Sequence, residues 1–267
     1  MCMTFFTHPF QPTRYRSMLW SLLTIAMGIY VGICVFFLIF QRSFIYMPRP
    51  ETAAHADAFT LDVPGARVRI SYRPHDGPKA LLYFGGNAED VAYTLPELAT
   101  LFPDRAIYLL HYRGYCGSSG RPAEAALRSD ARALFQLVQA RHPDVIIIGR
   151  SLGSSLAIQL AAEEPVSRIV LITPFESILR IAQRTAPFLP MALLLRDPFE
   201  SWRYAARVTC PTLIIAASDD ELIPVSDTEK LLQAFRPGVA TLRVIPGTDH
   251  NSVSEKVEFW ELLVTAP

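Results

Sequence analysis

The chain has 267 residues, 25 basic and 25 acidic side chains, and 51% hydrophobic content. That balance, with no basic block and no aromatic-basic interleaving, excludes the electrostatic footprint of a nucleic-acid binder. The length suits one large α/β domain or two small ones, and a mean hydropathy of +0.23, high for a water-soluble enzyme, asks which segment carries the excess.

That segment is at the N-terminus. Leu19 to Phe40, "LWSLLTIAMGIYVGICVFFLIF", contains no charged residue. As a helix it would span roughly 33 Å, about the thickness of a bilayer's hydrocarbon core. Arg14 and Arg16 flank one end and Arg42 the other, and Trp20 and Tyr46 stand near the two ends, where aromatic rings favour the interface. The bulky "FFLIFQRSFIY" does not resemble the small-residue site of a cleaved signal. The expected order is a tail (1–18), a single-pass membrane anchor (19–40), a linker (41–57) and one α/β domain (58–267). Arg42 and Arg49 nearly balance Arg14 and Arg16; Glu51 and the amino terminus tilt the expectation towards the N-terminus inside, with the domain on the non-cytoplasmic side. Cys2, Cys34, Cys116 and Cys210 have no paired spacing that suggests a disulfide framework or a zinc site.

Beyond the anchor, 58–63 and 67–73 alternate apolar and polar residues around Pro64-Gly65, the pattern of a β-hairpin. Wholly apolar runs follow at 80–84, 106–110, 145–149, 168–173, 212–217 and 241–245, as strands of a parallel sheet buried on both faces require. Helices are expected between them at 88–101, 123–140, 152–163, 227–235 and 252–263; in the second, Leu127, Leu134, Leu137 and Val138 recur at roughly helical spacing. Such alternation predicts an α/β domain with a mostly parallel central sheet and helices on both faces. Residues 174–208, interrupted by Pro187 and Pro190, are too long for one crossover and predict one or two short helices inserted as a modest lid.

In open α/β sheets function gathers where the strands end. After 145–149 comes Gly149-x-Ser151-x-Gly153, with a strand before it and a helix after it. In that setting the serine sits on a strained turn that pushes its hydroxyl out over the sheet, and the glycines let neighbouring backbones pass close by. A serine hydroxyl needs a base. Of the six histidines, His111 also follows a strand, but only His250 follows the last strand and satisfies the chain order serine, acid, histidine. The acid then belongs after 212–217, where Asp219, Asp220 and Glu221 all stand, and spacing leaves the choice open. An oxyanion hole needs two backbone N–H groups: Leu152, next after the serine, and one from Gly85-Gly86-Asn87 after 80–84.

The ordered set "QRSFIYMPRP", "YFGGNAED", "YRGYCGSSGRPAE", "IIGRSLGS", "ITPFES", "ASDDELIP" and "GTDHN" covers nearly all of 41–260. It resembles the α/β-hydrolase superfamily, and more narrowly the membrane-anchored α/β-hydrolase domain-containing proteins of types 13 and 17. The resemblance implies Asp220 as the acid, four residues before Pro224, and Asn87 as the second oxyanion donor with Gly86 as the alternative. The chain departs from the family in Gly85, where a histidine is usual, and in Cys116, where a glycine is usual. The expectation is a serine hydrolase with Ser151, Asp220 and His250 as catalytic residues, cleaving a small-molecule or acyl-lipid ester or thioester without metal or organic cofactor. The other readings are an acyltransferase or serine peptidase on the same three residues, or a non-catalytic, membrane-tethered binding module of the same fold.

Overall fold

The computed structural model of the chain describes residues 12–50 and 57–265. The tail positions 1–11 and the linker positions 51–56 lie outside the described residues. Two compact units divide between Gln41 and Arg42. The first is built on helix α1 (Pro12–Ile45), whose stretch from Tyr15 to Ile45 has a mean hydropathy of 2.6 and is long and apolar enough to cross a membrane by length and composition. The expected span 19–40 lies inside it.

The second unit begins earlier than the sequence suggests. The last turn of α1 and residues 46–50, expected as linker, belong to it. Tyr46, read as an interfacial ring, is 3% exposed; its hydroxyl donates to Asp197 at 3.2 Å. Burial and the Asp197 carboxylate push its phenol pKa up. Arg42 makes a forked pair with the same carboxylate, at 2.8 Å from Nε and 3.3 Å from Nη2.

The hairpin forms as read: β1 (Ala58–Val63) pairs antiparallel with β2 (Ala66–Arg73) across Pro64-Gly65, and Gly65 takes the positive φ of 76° that the two-residue turn requires. Then follow β3 (Lys79–Phe84), α2 (Leu95–Leu101), β4 (Ala106–Leu110), α3 (Glu124–Gln139), β5 (Asp144–Arg150), α4 (Leu152–Ala161) and β6 (Arg168–Ile172). After β6 come α5 (Ile178–Thr185), α6 (Met191–Leu194), α7 (Trp202–Ala205), β7 (Thr212–Ala217), α8 (Val225–Ala234), β8 (Ala240–Ile245) and α9 (Val257–Thr265). The eight strands make one sheet in the order β1-β2-β4-β3-β5-β6-β7-β8, parallel from β4 to β8. The order reverses at β3, which has β4 on one side and β5 on the other. Phe84 is in register with Gly149, so the loops after β3 and β5 leave the sheet at the same level. That is the crevice in which doubly wound sheets bind ligands.

Both faces are covered. On one, Leu82, Phe84, Ile147 and Ile214 join a core with Leu127 and Leu134 of α3 and Leu156 of α4. On the other, Leu81, Tyr83, Ile148 and Ile215 meet Leu98 of α2 and Phe259 of α9. Two helix readings change. The helix expected at 88–101 starts as a 3-10 turn at Val91–Thr94, because Ala88 stands at φ 62° and Asp90 accepts the Ala92 N–H. In α3 the buried apolar set is Leu127, Ala131, Leu134, Phe135 and Val138; Leu137 faces outward.

The insertion between β6 and β7 holds three short helices rather than one or two. It is tied down by the Phe199 N–H on Glu124 at 2.8 Å and by Arg184, which pairs with Asp227 and donates to the Leu222 carbonyl. The loop after β4 is fixed to α3 by the fork of Arg113 on Asp130, with Nε at 2.7 Å; Asp130 is fully buried. Removing one partner of such a pair leaves a buried charge uncompensated, so Asp130→Ala is expected to cost roughly 3–5 kcal/mol in urea unfolding. A loss under about 1 kcal/mol, the range of an exposed pair, would show that water already screens Arg113.

Candidate active site

Ser151 lies between β5 and α4 at φ 47°, ψ −110°, a backbone region that costs a non-glycine residue free energy. Neighbouring chain holds it there. The Ser151 N–H donates to the Ile172 carbonyl at 2.8 Å, the Gly153 N–H to the Gly85 carbonyl at 3.1 Å, and the Ser154 hydroxyl to the Ser151 carbonyl at 2.6 Å. The glycines are sterically required. A Cβ at Gly149 would lie 2.6 Å from the Gly153 carbonyl oxygen, and one at Gly153 would run into the Phe84 carbonyl. The strand-turn-helix therefore exists only in this close-crossing form.

The Ser151 hydroxyl lies 3.0 Å from His250 Nε2, and His250 Nδ1 lies 2.7 Å from Asp220 Oδ2. A carboxylate only accepts, so Nδ1 carries the proton of the neutral ring, and Nε2 is left to accept from the serine. Asp220 is 5% exposed, and its other oxygen accepts the Leu222 and Ile223 N–H groups at 3.0 and 2.7 Å. Asp219 and Glu221, the other two acids of this loop, face solvent. His250 is carried by the turn after β8, where Asp249 accepts the N–H groups of Asn251 and Ser252 at 2.8 Å.

The loop after β3 lies against this group. A Cβ at Gly86 would be 3.8 Å from Ser151 Cβ. The Gly86 N–H already donates to Glu89 Oε2 at 2.6 Å, so it is engaged within the loop. Among the described residues, the N–H groups of Asn87 and Leu152 donate to no protein acceptor. Four features that the sequence reading missed brace the loop. Glu89 also receives the hydroxyls of Tyr83 and Thr94, at 2.8 and 3.1 Å. Tyr112 donates to the Gly85 carbonyl at 2.7 Å, and Tyr115 to Asn87 Oδ1 at 2.8 Å. The Asn87 side chain donates to the Ile45 carbonyl at 2.7 Å. The Glu89 carboxylate lies beside Gly85, where the family usually has histidine.

His111 and His142 are elsewhere. His142 Nδ1 meets the Gly77 carbonyl at 2.8 Å in the core. His111 Nε2 is 2.8 Å from the Ser71 hydroxyl, with Asp90 at 3.8 Å from Nδ1. Asp90, His111 and Cys116 each bring one potential metal ligand within 4.8 Å of the others. Arg69 and Arg49 act on the Cys116 thiol from nearby and oppose a cation there, while burial pushes the thiol pKa up to about 11.

A serine on a strand-turn-helix, then a buried carboxylate, then a histidine, after successive strands of this sheet, match the architecture of an α/β hydrolase. Residues 63–208 match the alpha/beta hydrolase family, to which the chain belongs. An uncharacterised protein of Mycobacterium tuberculosis is 32% identical over 238 residues, covering 82% of this chain and 84% of that protein. The Caenorhabditis elegans alpha/beta hydrolase domain-containing protein aho-3 is 31% identical over 189 residues, covering 68% of this chain and 55% of its own length. Among solved structures, an esterase of Pyrococcus furiosus superposes with a TM-score of 0.66 at 13% identity, covering 82% of this chain and 95% of that one, a likeness of fold.

Burial pushes the His111 pKa down to about 4 from its ordinary 6.5, with Asp90 opposing and Arg69 adding. Between those values the unfolded chain binds a proton that the folded chain refuses, so stability rises with pH across this window and is lost as pH falls through it. His111→Gln is expected to flatten that part of the stability-pH curve; an unchanged slope in urea titrations at pH 4.5 and 6.5 would refute the shift.

Proposed function

We propose that this chain is a membrane-anchored serine hydrolase that cleaves an ester or thioester through an acyl-enzyme. The observation that carries the reading is the position of His250, within hydrogen-bond reach of both Ser151 and Asp220. His250 Nε2 takes the hydroxyl proton as Ser151 attacks the carbonyl carbon. Asp220 holds the ring and stabilises the imidazolium. The N–H groups of Leu152 and Asn87 receive the oxyanion, and the imidazolium returns its proton to the leaving group. Water then attacks the acyl carbon as it gives a proton to His250; collapse breaks the bond to Ser151, which takes that proton back from the imidazolium, and the acid leaves.

A long apolar helix ahead of the domain supports an anchor. Phe188 and Leu193, exposed on the insertion, support an acylated or lipid-like substrate, since large apolar side chains left in water offer a surface for an acyl chain.

A fluorophosphonate probe is expected to label the wild-type chain and not Ser151→Ala; equal labelling of both would overturn the reading. His250→Ala is expected to lower kcat by roughly 10⁵–10⁶-fold. For the anchor, the full chain is expected in the membrane fraction after an alkaline carbonate wash, with a C-terminal alkaline phosphatase reporter active outside the cytoplasm. Recovery of the chain in the carbonate supernatant would remove the anchor, and an inactive reporter on a membrane-bound chain would reverse the orientation.

A further inference from the structure

Resting on the hydrolase reading, we infer that the segment Ile45–Met47, at the C-terminal end of α1, is a working part of the active site: through the Asn87 side chain and Tyr115 it positions the Asn87 N–H that receives the oxyanion. Asn87 is held from both ends by this segment. Its Nδ2 donates to the Ile45 carbonyl at 2.7 Å, and its Oδ1 accepts the Met47 N–H at 3.0 Å. The Tyr115 hydroxyl closes the set, donating to Asn87 Oδ1 at 2.8 Å while its oxygen accepts from the Met47 N–H at 3.0 Å. The Cys116 N–H donates to the Arg49 carbonyl at 2.9 Å, so the Tyr115 loop is itself fastened to the same segment.

An asparagine whose side chain is consumed in this way cannot touch substrate with that side chain; what remains is its backbone N–H. The next residue, Ala88, stands at φ 62°. Such a backbone turns easily to an unstrained conformation unless its neighbours hold it. Glu89 and Tyr112 hold the Gly85-Gly86 half of the loop, and the upstream segment holds the Asn87 half. Oxyanion donors work by being fixed in advance, so a loop free on one side would lose transition-state stabilisation while substrate binding stayed intact. Tyr115 and the two backbone groups are positioning groups; none of them touches the reacting atoms.

The test uses full-length protein in detergent, with active sites counted by the burst from a p-nitrophenyl ester and kcat expressed per counted site. Tyr115→Phe and Asn87→Ala are expected to lower kcat at least about tenfold, short of the roughly 10²–10³ for losing a donor outright. KM is expected to stay within about twofold, and the midpoint of the pH-rate profile to stay where it is. The double variant is expected to fall no further than Asn87→Ala alone, because the two act as one unit. His142→Gln, buried in the core on the Gly77 carbonyl and outside this segment, is expected to lower Tm and leave kcat per site unchanged. If Tyr115→Phe and Asn87→Ala lose only Tm or counted sites and keep wild-type kcat per site, the inference is overturned and the hydrolase reading stands. If wild type and Ser151→Ala are equally without a burst, the hydrolase reading falls and takes this inference with it.

Discussion

The site hangs on one close backbone crossing. The loop leaving β3 and the first turn of α4 pass at a distance that admits no Cβ at Gly153, and the Gly153 N–H closes on the Gly85 carbonyl at 3.1 Å. This crossing holds Ser151 at φ 47° and, with the same atoms, fixes the loop that carries Asn87 beside it. Ser151 and the loop are thus two sides of one contact. Gly153, given a side chain, would force the first turn of α4 away from the backbone that leaves β3.

The strain of that crossing is offset by polar groups that have nowhere else to bond. Glu89, half-buried, binds a backbone N–H and two hydroxyls. Asp220 spends one oxygen on two backbone N–H groups and keeps the other for His250. An under-satisfied carboxylate in such a place would cost several kcal/mol, whereas each of these carboxylates has both oxygens bonded, mostly by donors a few residues away and, for Asp220, also by His250. Rigidity at the site therefore comes from short-range satisfaction of buried polar atoms more than from apolar packing.

Much of this was legible in the sequence, and the reason is periodicity. A strand buried on both faces has to be apolar throughout, so each central strand announced itself, and chain order then separated His250 from His111. What periodicity does not encode was missed. Tyr46 looks like an interfacial aromatic because its neighbours in sequence are apolar, but its partner Asp197 lies 151 residues away. Leu137 fits a helical stripe by type and misses it by angle. Glu89 and Tyr115 stood inside quoted motifs, yet each bonds a backbone N–H and side chains that fold back onto it, pairings no residue pattern reveals. The choice between Asp219 and Asp220 came from resemblance; the structure supplies its physical basis, one carboxylate buried and bonded, the other in solvent.

Cys116 shows the same rule from the opposite side. A thiol is intrinsically the better nucleophile, and this one also sits at a positive φ of 43°, where the family usually has glycine. Yet it is 2% exposed, its pKa is pushed up to about 11, and His111, the imidazole grouped with it, makes no hydrogen bond to it among the described residues. Ser151 has the weaker atom and the better surroundings: an imidazole nitrogen at 3.0 Å. Reactivity at neutral pH follows the fraction of the group that can be deprotonated in place, so the surroundings outweigh the element. On that ground the chemistry proposed for this chain belongs to the serine, and the strained cysteine is part of the scaffold beside it.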